Sequence, residues 1–180
     1  MLGQAGAVRT LELGAADPSR PHVVRREAAK AVGERDGRLL LLVTPSTGDH
    51  KLPGGGVHDG ETHEQTLARE LLEETGRRLV VLGPAVLHVV ERRPDAHDDG
   101  ATFEMSSTYY RASVSDDVMA TDLDGYERDL GLVAVWVSPT EALRANEALL
   151  ATGRAAPWTA RETDVLRLLL TGALRPPESR

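Results

Sequence analysis

The 180-residue chain has no cysteine. Disulfides, thiolate nucleophiles and zinc sites built on sulfur are thereby excluded. Aromatic residues make up only 3% of the chain, too few for a platform on which many bases stack. Long apolar runs are also missing. Stretches such as Leu39–Val43 and Leu168–Leu170 fall far short of the ~20 residues that span a membrane. Positive charge is in deficit, with 21 Lys and Arg against 28 Asp and Glu and a net charge of −7. That balance disfavours a nucleic-acid duplex as partner, because duplex binders neutralise phosphates with basic patches. It leaves room for a small phosphorylated substrate where metal ions supply the positive charge. Residues 1–10 lack a basic segment followed by an apolar run, so no signal peptide is read and a cytoplasmic location is expected.

What remains is the composition of a globular protein, 41% hydrophobic and 27% charged, at a length that suits one domain. Residues 1–20 are Gly/Ala-rich and end in Asp17-Pro18-Ser19-Arg20; they read as an N-terminal arm or an added edge element, and residues 21–180 as a single domain. Residues 23–33 read as a strand that turns at Asp36-Gly37 into a second strand over Leu39–Val43. Thr62 and Gln65 have capping-box spacing at a helix start, Gly76 marks its end, and Leu67, Ala68, Leu71 and Leu72 recur as its core-facing stripe. Further strands are expected over 79–92, interrupted at Gly83-Pro84, over 102–114 and over 132–137. Residues 115–130 read as acidic and irregular, 139–150 as a helix, and Thr159 and Glu162 as the capping box of a last helix. Strands come in bunches and not every strand is followed by a helix. That order predicts an α+β fold, a mixed β-sheet with helices on both faces.

The chemistry concentrates in residues 51–77. Three consecutive glycines, Gly54, Gly55 and Gly56, permit positive φ and close approach of backbone to a ligand. The helix that follows carries Glu70, Glu73 and Glu74, which its periodicity places on one face. In a partly buried cleft, two such charges ~6 Å apart at an effective dielectric of ~20 repel by roughly 3 kcal/mol. A hard divalent cation reverses that sign. Mg2+ accepts one or two carboxylates, keeps waters and bridges to substrate phosphate, and Mn2+ fits the same oxygen ligands. Such an ion acidifies a bound water and holds it in line with the leaving group, while a free carboxylate takes the proton.

With Gly55, Glu61, Arg69, Glu70, Leu71, Glu73, Glu74 and Gly76 in register, the chain resembles the Nudix hydrolase family, whose fingerprint is Gly, five residues, Glu, seven residues, Arg-Glu, apolar, any, Glu-Glu, any, Gly, apolar. Only Arg77 departs, standing where an apolar residue is usual; Leu79 is expected to take over its packing. The resemblance implies an α/β/α sandwich. It implies Glu70 and Glu74 as principal metal ligands, Glu73 as a further ligand or the base, and the Gly54 carbonyl in the metal shell. Glu61 and Arg69 become a structural ion pair that ties the loop to the helix, with Gly55 and Gly76 structural beside them. It also implies a distant carboxylate from the loop before the last core strand. Glu127 is the first candidate there, with Asp124 and Asp129 behind it.

Lys51 and Arg92 are candidate contacts to substrate phosphate, with Arg93, His58 and His63 as weaker ones. Adjacent strand positions send Tyr109 and Tyr110 to opposite faces. The leading function is a Mg2+-dependent pyrophosphohydrolase acting on a nucleoside diphosphate linked to another moiety. Pro94 lies close to the position of a proline common in relatives that hydrolyse ADP-ribose, which favours that type slightly over nucleoside triphosphates. A non-catalytic nucleotide-binding sensor on the same fold is the alternative. An isoprenoid-type isomerase is disfavoured because its relatives use a catalytic cysteine. Expected partners are a small phosphorylated nucleotide and, as in many relatives, a second copy of the chain in a homodimer; no membrane partner is expected.

Overall fold

A computed structural model describes residues 8–172 and Leu174. Seven strands form the sheet: β1 (Arg9–Leu13), β2 (His22–Arg35), β3 (Arg38–Val43), β4 (His50–Lys51), β5 (Leu79–Pro94), β6 (Ala101–Val114) and β7 (Val133–Val137). The order is β1-β5-β6-β2-β3-β4, with β7 also paired to β3. β1 and β5 run parallel, as do β2 and β6, and the remaining pairings are antiparallel, so the sheet is mixed as expected. Residues 9–13 of the N-terminal segment thus form an edge strand on β5, while residues 1–7 lie outside the described residues.

Asp36 and Gly37 both take positive φ (49° and 72°), the two-residue turn that matches strand twist. β2 and β3 then pair only at Glu34↔Leu39 and Arg35↔Arg38 before they diverge. The glycine-rich segment enters the gap and runs along the freed edge of β2. The Ala31 amide donates to the Pro53 carbonyl (2.9 Å), the Ala29 amide to Gly55 (3.1 Å), and the Val57 amide to Glu27 (3.0 Å). This insertion sets the site at the split between two strands.

Strand alternation gives the sheet two cores. Leu39, Leu41, Val32, Leu87 and Tyr109 face α3 (Pro139–Ala151) and α4 (Thr159–Leu170), and Leu40, Ala29 and Ala31 face α1 (His63–Thr75) through Leu67 and Leu71. Helices therefore cover both faces, an α/β/α sandwich. β5 is one strand throughout; Gly83-Pro84 does not interrupt it but falls within a register shift between Leu82 and Ala85. Residues 115–130 are not wholly irregular. Asp124 accepts from the Glu127 amide, and Glu127 reaches back to the Asp124 amide, which caps a short helix α2 (Gly125–Leu130). Arg77 lies over the Trp136 ring at 5.8 Å and donates to the Ser115 and Asp116 carbonyls, while Leu79 packs into the α1-side core. The charged residue at that position thus shields an aromatic edge, and the apolar packing moves two residues on.

Candidate active site

The capping box at Thr62 and Gln65 starts α1, and Gly76, at φ 67°, ends it in the left-handed region. Between these ends, Glu70, Glu73 and Glu74 face the glycine loop. Two glycines are required there. Gly54 has φ 121°, and a Cβ on it would overlap the Ala29 carbonyl; a Cβ on Gly55 would overlap the Glu70 carboxylate. Burial grades the three acids: Glu74 is 1% exposed, Glu70 13% and Glu73 40%. Glu73 is thus the acid most open to solvent, and Glu74 the one enclosed by protein.

Each acid is held by donors from the chain itself. Glu74 accepts from the Gly54 amide (2.6 Å) and from Lys51 Nζ (3.2 Å). Lys51 Nζ also reaches Glu127 (3.1 Å), so the loop acid expected from the far side of the sequence does join the α1 acids. Glu70 pairs with Arg69 (2.7 Å), which lies 3.4 Å from Glu73. Arg69 also grips Glu61 through Nε and Nη2 (2.9 Å each) and donates to the Gly56 carbonyl (3.1 Å). Glu61 further accepts from the His58 amide (3.1 Å) and the Thr66 hydroxyl (2.9 Å). Loop and helix are therefore joined by a bidentate ion pair. Arg69 donates to the Glu61 carboxyl and, with these other donors, holds it far below the ordinary carboxylate range.

Lys30, absent from the residues read as functional in the sequence, is central. It is 7% exposed, and its ammonium donates to the Gly54 carbonyl. Burial pushes the Lys30 amine down, and the charge of Lys51 adds to the effect. Burial pushes the Glu74 carboxyl up, against the pull of Lys51 and Lys30. For Lys51 burial works downward, but the charges of Glu74 and Glu127 outweigh it and the amine is raised.

The candidate metal ligands are carboxylate and carbonyl oxygens, the donors a hard cation takes. Among the described residues no three acidic or imidazole side chains converge on one point as they stand. Lys51, Arg69 and Lys30 hold these oxygens, and a divalent ion would exchange for those partners. The donor chemistry fits the ion, and the cations now in place already balance much of the acid charge.

A cavity of about 890 Å³ opens beside the acids, lined by Gly55, Gly56, Glu70, Glu73, Glu127 and Arg26, among others. Both residues read as phosphate contacts, Arg92 and Lys51, have acidic partners in the structure. Arg92 is outside this lining and is taken up by Glu104 (2.7 Å) and Glu12 (3.0 Å). Arg25 and Arg26 of β2, with Arg69 of α1, are the arginines that line the cleft. Lys51 ties Glu74 and Glu127 together. His63 bonds Tyr110 (2.7 Å) and Glu27 (2.8 Å), and His58 lies at the exposed loop beside Glu61.

Behind the loop lies a second polar layer. Glu162 of α4 accepts from the Leu52 amide (3.0 Å), the Tyr109 hydroxyl (3.2 Å) and Arg161 (3.2 Å). Asn146 of α3 both accepts from the His50 amide (2.7 Å) and donates to its carbonyl (2.9 Å). These two helices clamp β4 and therefore position Lys51 and Gly54. Glu162 does not cap α4 with Thr159: the N-cap is Trp158 with no side-chain bond, and Thr159 bonds Asp49 (3.3 Å). A polar residue buried within an apolar helix face was the available signal for Glu162 and Asn146.

Comparison with known proteins follows the same lines. The NUDIX domain family matches residues 24–160. A MutT-like protein of Streptomyces ambofaciens is 45% identical over 53 residues, 29% of this chain and 34% of that protein, so the match spans about a third of the relative's length. A NUDIX hydrolase from Nitrosomonas europaea is 26% identical over 86% of this chain and 94% of that one, with a TM-score of 0.54. A mutator MutT protein from Bacillus halodurans shares the fold at 20% identity and a TM-score of 0.52, over 67% of this chain and 72% of its own.

Proposed function

This chain belongs to the NUDIX family, and from that premise we propose that it is a Mg2+-dependent pyrophosphohydrolase that cleaves a nucleoside diphosphate linked to another moiety. The observation that carries the reading is the meeting of Glu127 with the α1 acids. Lys51 bridges Glu127 and Glu74, and the cleft is lined by Glu70, Glu73 and Glu127 together.

Glu70 and Glu74, with Glu73 and the Gly54 carbonyl as further oxygens, are the residues to hold the ion. When bound, Mg2+ draws charge from the phosphate oxygens and acidifies water. Arg26 meets the substrate's phosphates at the cleft wall. Glu73 or Glu127 accepts the proton of the attacking water as the new P–O bond forms and the anhydride P–O bond breaks. Lys51 keeps its contact with Glu127 at the cleft during this exchange. The position of Pro94, at the end of β5, favours ADP-ribose or a nucleoside diphosphate sugar over nucleoside triphosphates.

A specific observation supports the alternative, a non-catalytic nucleotide sensor. Lys51 and Arg69 already pair with the acids and Lys30 takes the Gly54 carbonyl, so much of the site's demand for positive charge is met without a divalent ion. Incubation with ADP-ribose, nucleoside diphosphate sugars, dinucleoside polyphosphates and nucleoside triphosphates, with Mg2+ or EDTA, separates the two. Release of a nucleoside monophosphate only with Mg2+ supports the hydrolase. Tight binding of one compound with no turnover supports the sensor.

A further inference from the structure

A second cavity, of about 560 Å³, lies next to the cleft; Val24, Arg26, Arg93, Phe103 and Met105 contribute to its wall. The two cavities share one lining residue, Arg26. Strand register shows how. Val24, Phe103 and Arg93 form one cross-strand row, and Arg26, Met105 and Glu91 form the next, on one face of the sheet. The rows further in, Ala28–Ser107–Val89 and Lys30–Tyr109–Leu87, are buried. Arg161, near the start of α4, bonds Glu91 (2.7 Å) and marks where the helix cover ends. β2 is therefore a track from the metal-site loop, through Arg26, to the outer cavity. From Ala29, which bonds Gly55, to Arg26 is three residues, about 10 Å of strand.

The chemistry of the outer cavity is particular. The chain has one phenylalanine, and it is Phe103 in this wall. The Arg93 guanidinium lies 4.4 Å from its ring centroid, which makes a flat cationic shelf. Arg25, which also lines the cleft, and Arg92 are both taken up by Glu104, whereas Arg26 and Arg93 form no salt bridge within the described residues. The volume falls in the range of small-ligand pockets. A planar base would cover the apolar Val24, Phe103 and Met105 floor and stack on the shelf. A bare sugar phosphate would leave that floor wet.

We propose that this cavity is the subsite for the base of the substrate, with Arg26 holding the phosphates that run from it to the acids. The inference rests on the nucleotide reading of the cleft and adds the place and means of base recognition.

The test uses the full chain with α,β-methylene-ADP, which resists hydrolysis, and methylenediphosphonate, which lacks base and sugar. Binding is measured by calorimetry for wild type, Phe103→Leu and Arg26→Gln. Phe103→Leu is expected to weaken the nucleotide analogue about tenfold or more and leave methylenediphosphonate unchanged. Arg26→Gln is expected to weaken both. In wild type, NMR should show transfer between the Met105 methyl group and the adenine protons, a readout that needs no variant. Nucleotide binding without that transfer, or with full affinity in Phe103→Leu, overturns the subsite and leaves the hydrolase reading standing. Binding of neither compound to wild type overturns the subsite and the nucleotide reading together.

Discussion

The buried ammonium of Lys30 donates its hydrogen bond to the backbone carbonyl of Gly54, the oxygen that the family resemblance assigns to the metal shell. A protein cation thus stands where a metal ion would draw on the same lone pairs. Replacing Lys30 by Met keeps the volume and removes the charge. The Lys30→Met protein is expected to bind Mn2+ at least several-fold more tightly than wild type, read from the free-ion signal by electron paramagnetic resonance, since one nearby positive charge is gone. Its thermal stability should fall, because the buried Gly54 carbonyl loses its side-chain donor. Weaker Mn2+ binding would instead make Lys30 a positioner of the carbonyl.

Gly54 and Gly55 separate stability from function. A side chain at Gly54 meets the Ala29 backbone and must adopt φ 121°, so Gly54→Ala should unfold at clearly lower temperature, with a loss of about 1–3 kcal/mol. At Gly55 the overlap is with the movable end of Glu70. Gly55→Ala should therefore keep most of its melting temperature and lose metal affinity as the carboxylate is displaced. Equal destabilisation of both variants would contradict this division.

The Glu61–Arg69 pair sets an acid limb. The folded Glu61 carboxyl lies far below its unfolded value, so between those values the unfolded chain binds more protons. The pair's contribution is present above the ordinary carboxylate range and lost as pH falls through the folded value. Carbon NMR should place the Glu61 titration below those of exposed glutamates. Glu61→Gln should flatten the fall of stability with acid; an unchanged slope would remove the pair from the account.

Glu162 is the buried anion that receives the Leu52 amide, the Tyr109 hydroxyl and Arg161. Glu162→Ala leaves these donors without their acceptor and strips Arg161 of one of its two acids, Glu91 being the other. Urea unfolding should report a loss of about 3–5 kcal/mol. A change below about 1 kcal/mol would mean that the Lys51–Gly54 backbone is held by other contacts.

Local signals carried the fold well. Asp36-Gly37 made the hairpin, Thr62 with Gln65 and Gly76 bounded α1, and the register from Gly55 to Gly76 collected the acids. Each of these is written within a few consecutive residues. The misread parts depend on partners far away in the chain. Lys30 finds its acceptor 24 residues on, and Glu162 receives an amide 110 residues before it. In an isolated strand or helix such residues look like the polar half of an amphipathic pattern. Thr159 and Glu162 matched a capping box in spacing, yet tertiary partners claimed both side chains, Asp49 as acceptor for Thr159 and the Leu52 amide as donor to Glu162. Arg92 could be told from the cleft-lining Arg25 and Arg26 only by the strand order, which puts β2 beside the glycine loop and β5 two strands away. α2 lay hidden in an acidic stretch because its six residues bury no apolar face, and its capping box is the only local cue.

The proposed function puts the ion used to hydrolyse a phosphoric anhydride on Glu70 and Glu74. Its most direct test is the Mg2+-dependent rate of nucleoside monophosphate release, followed by phosphorus NMR, for wild type and the Glu70→Gln, Glu74→Gln double variant on the compound wild type turns over fastest. A loss of at least about a thousandfold is expected in the variant, in line with removal of the charge that steadies the transition state. Turnover undiminished in the folded double variant would contradict it.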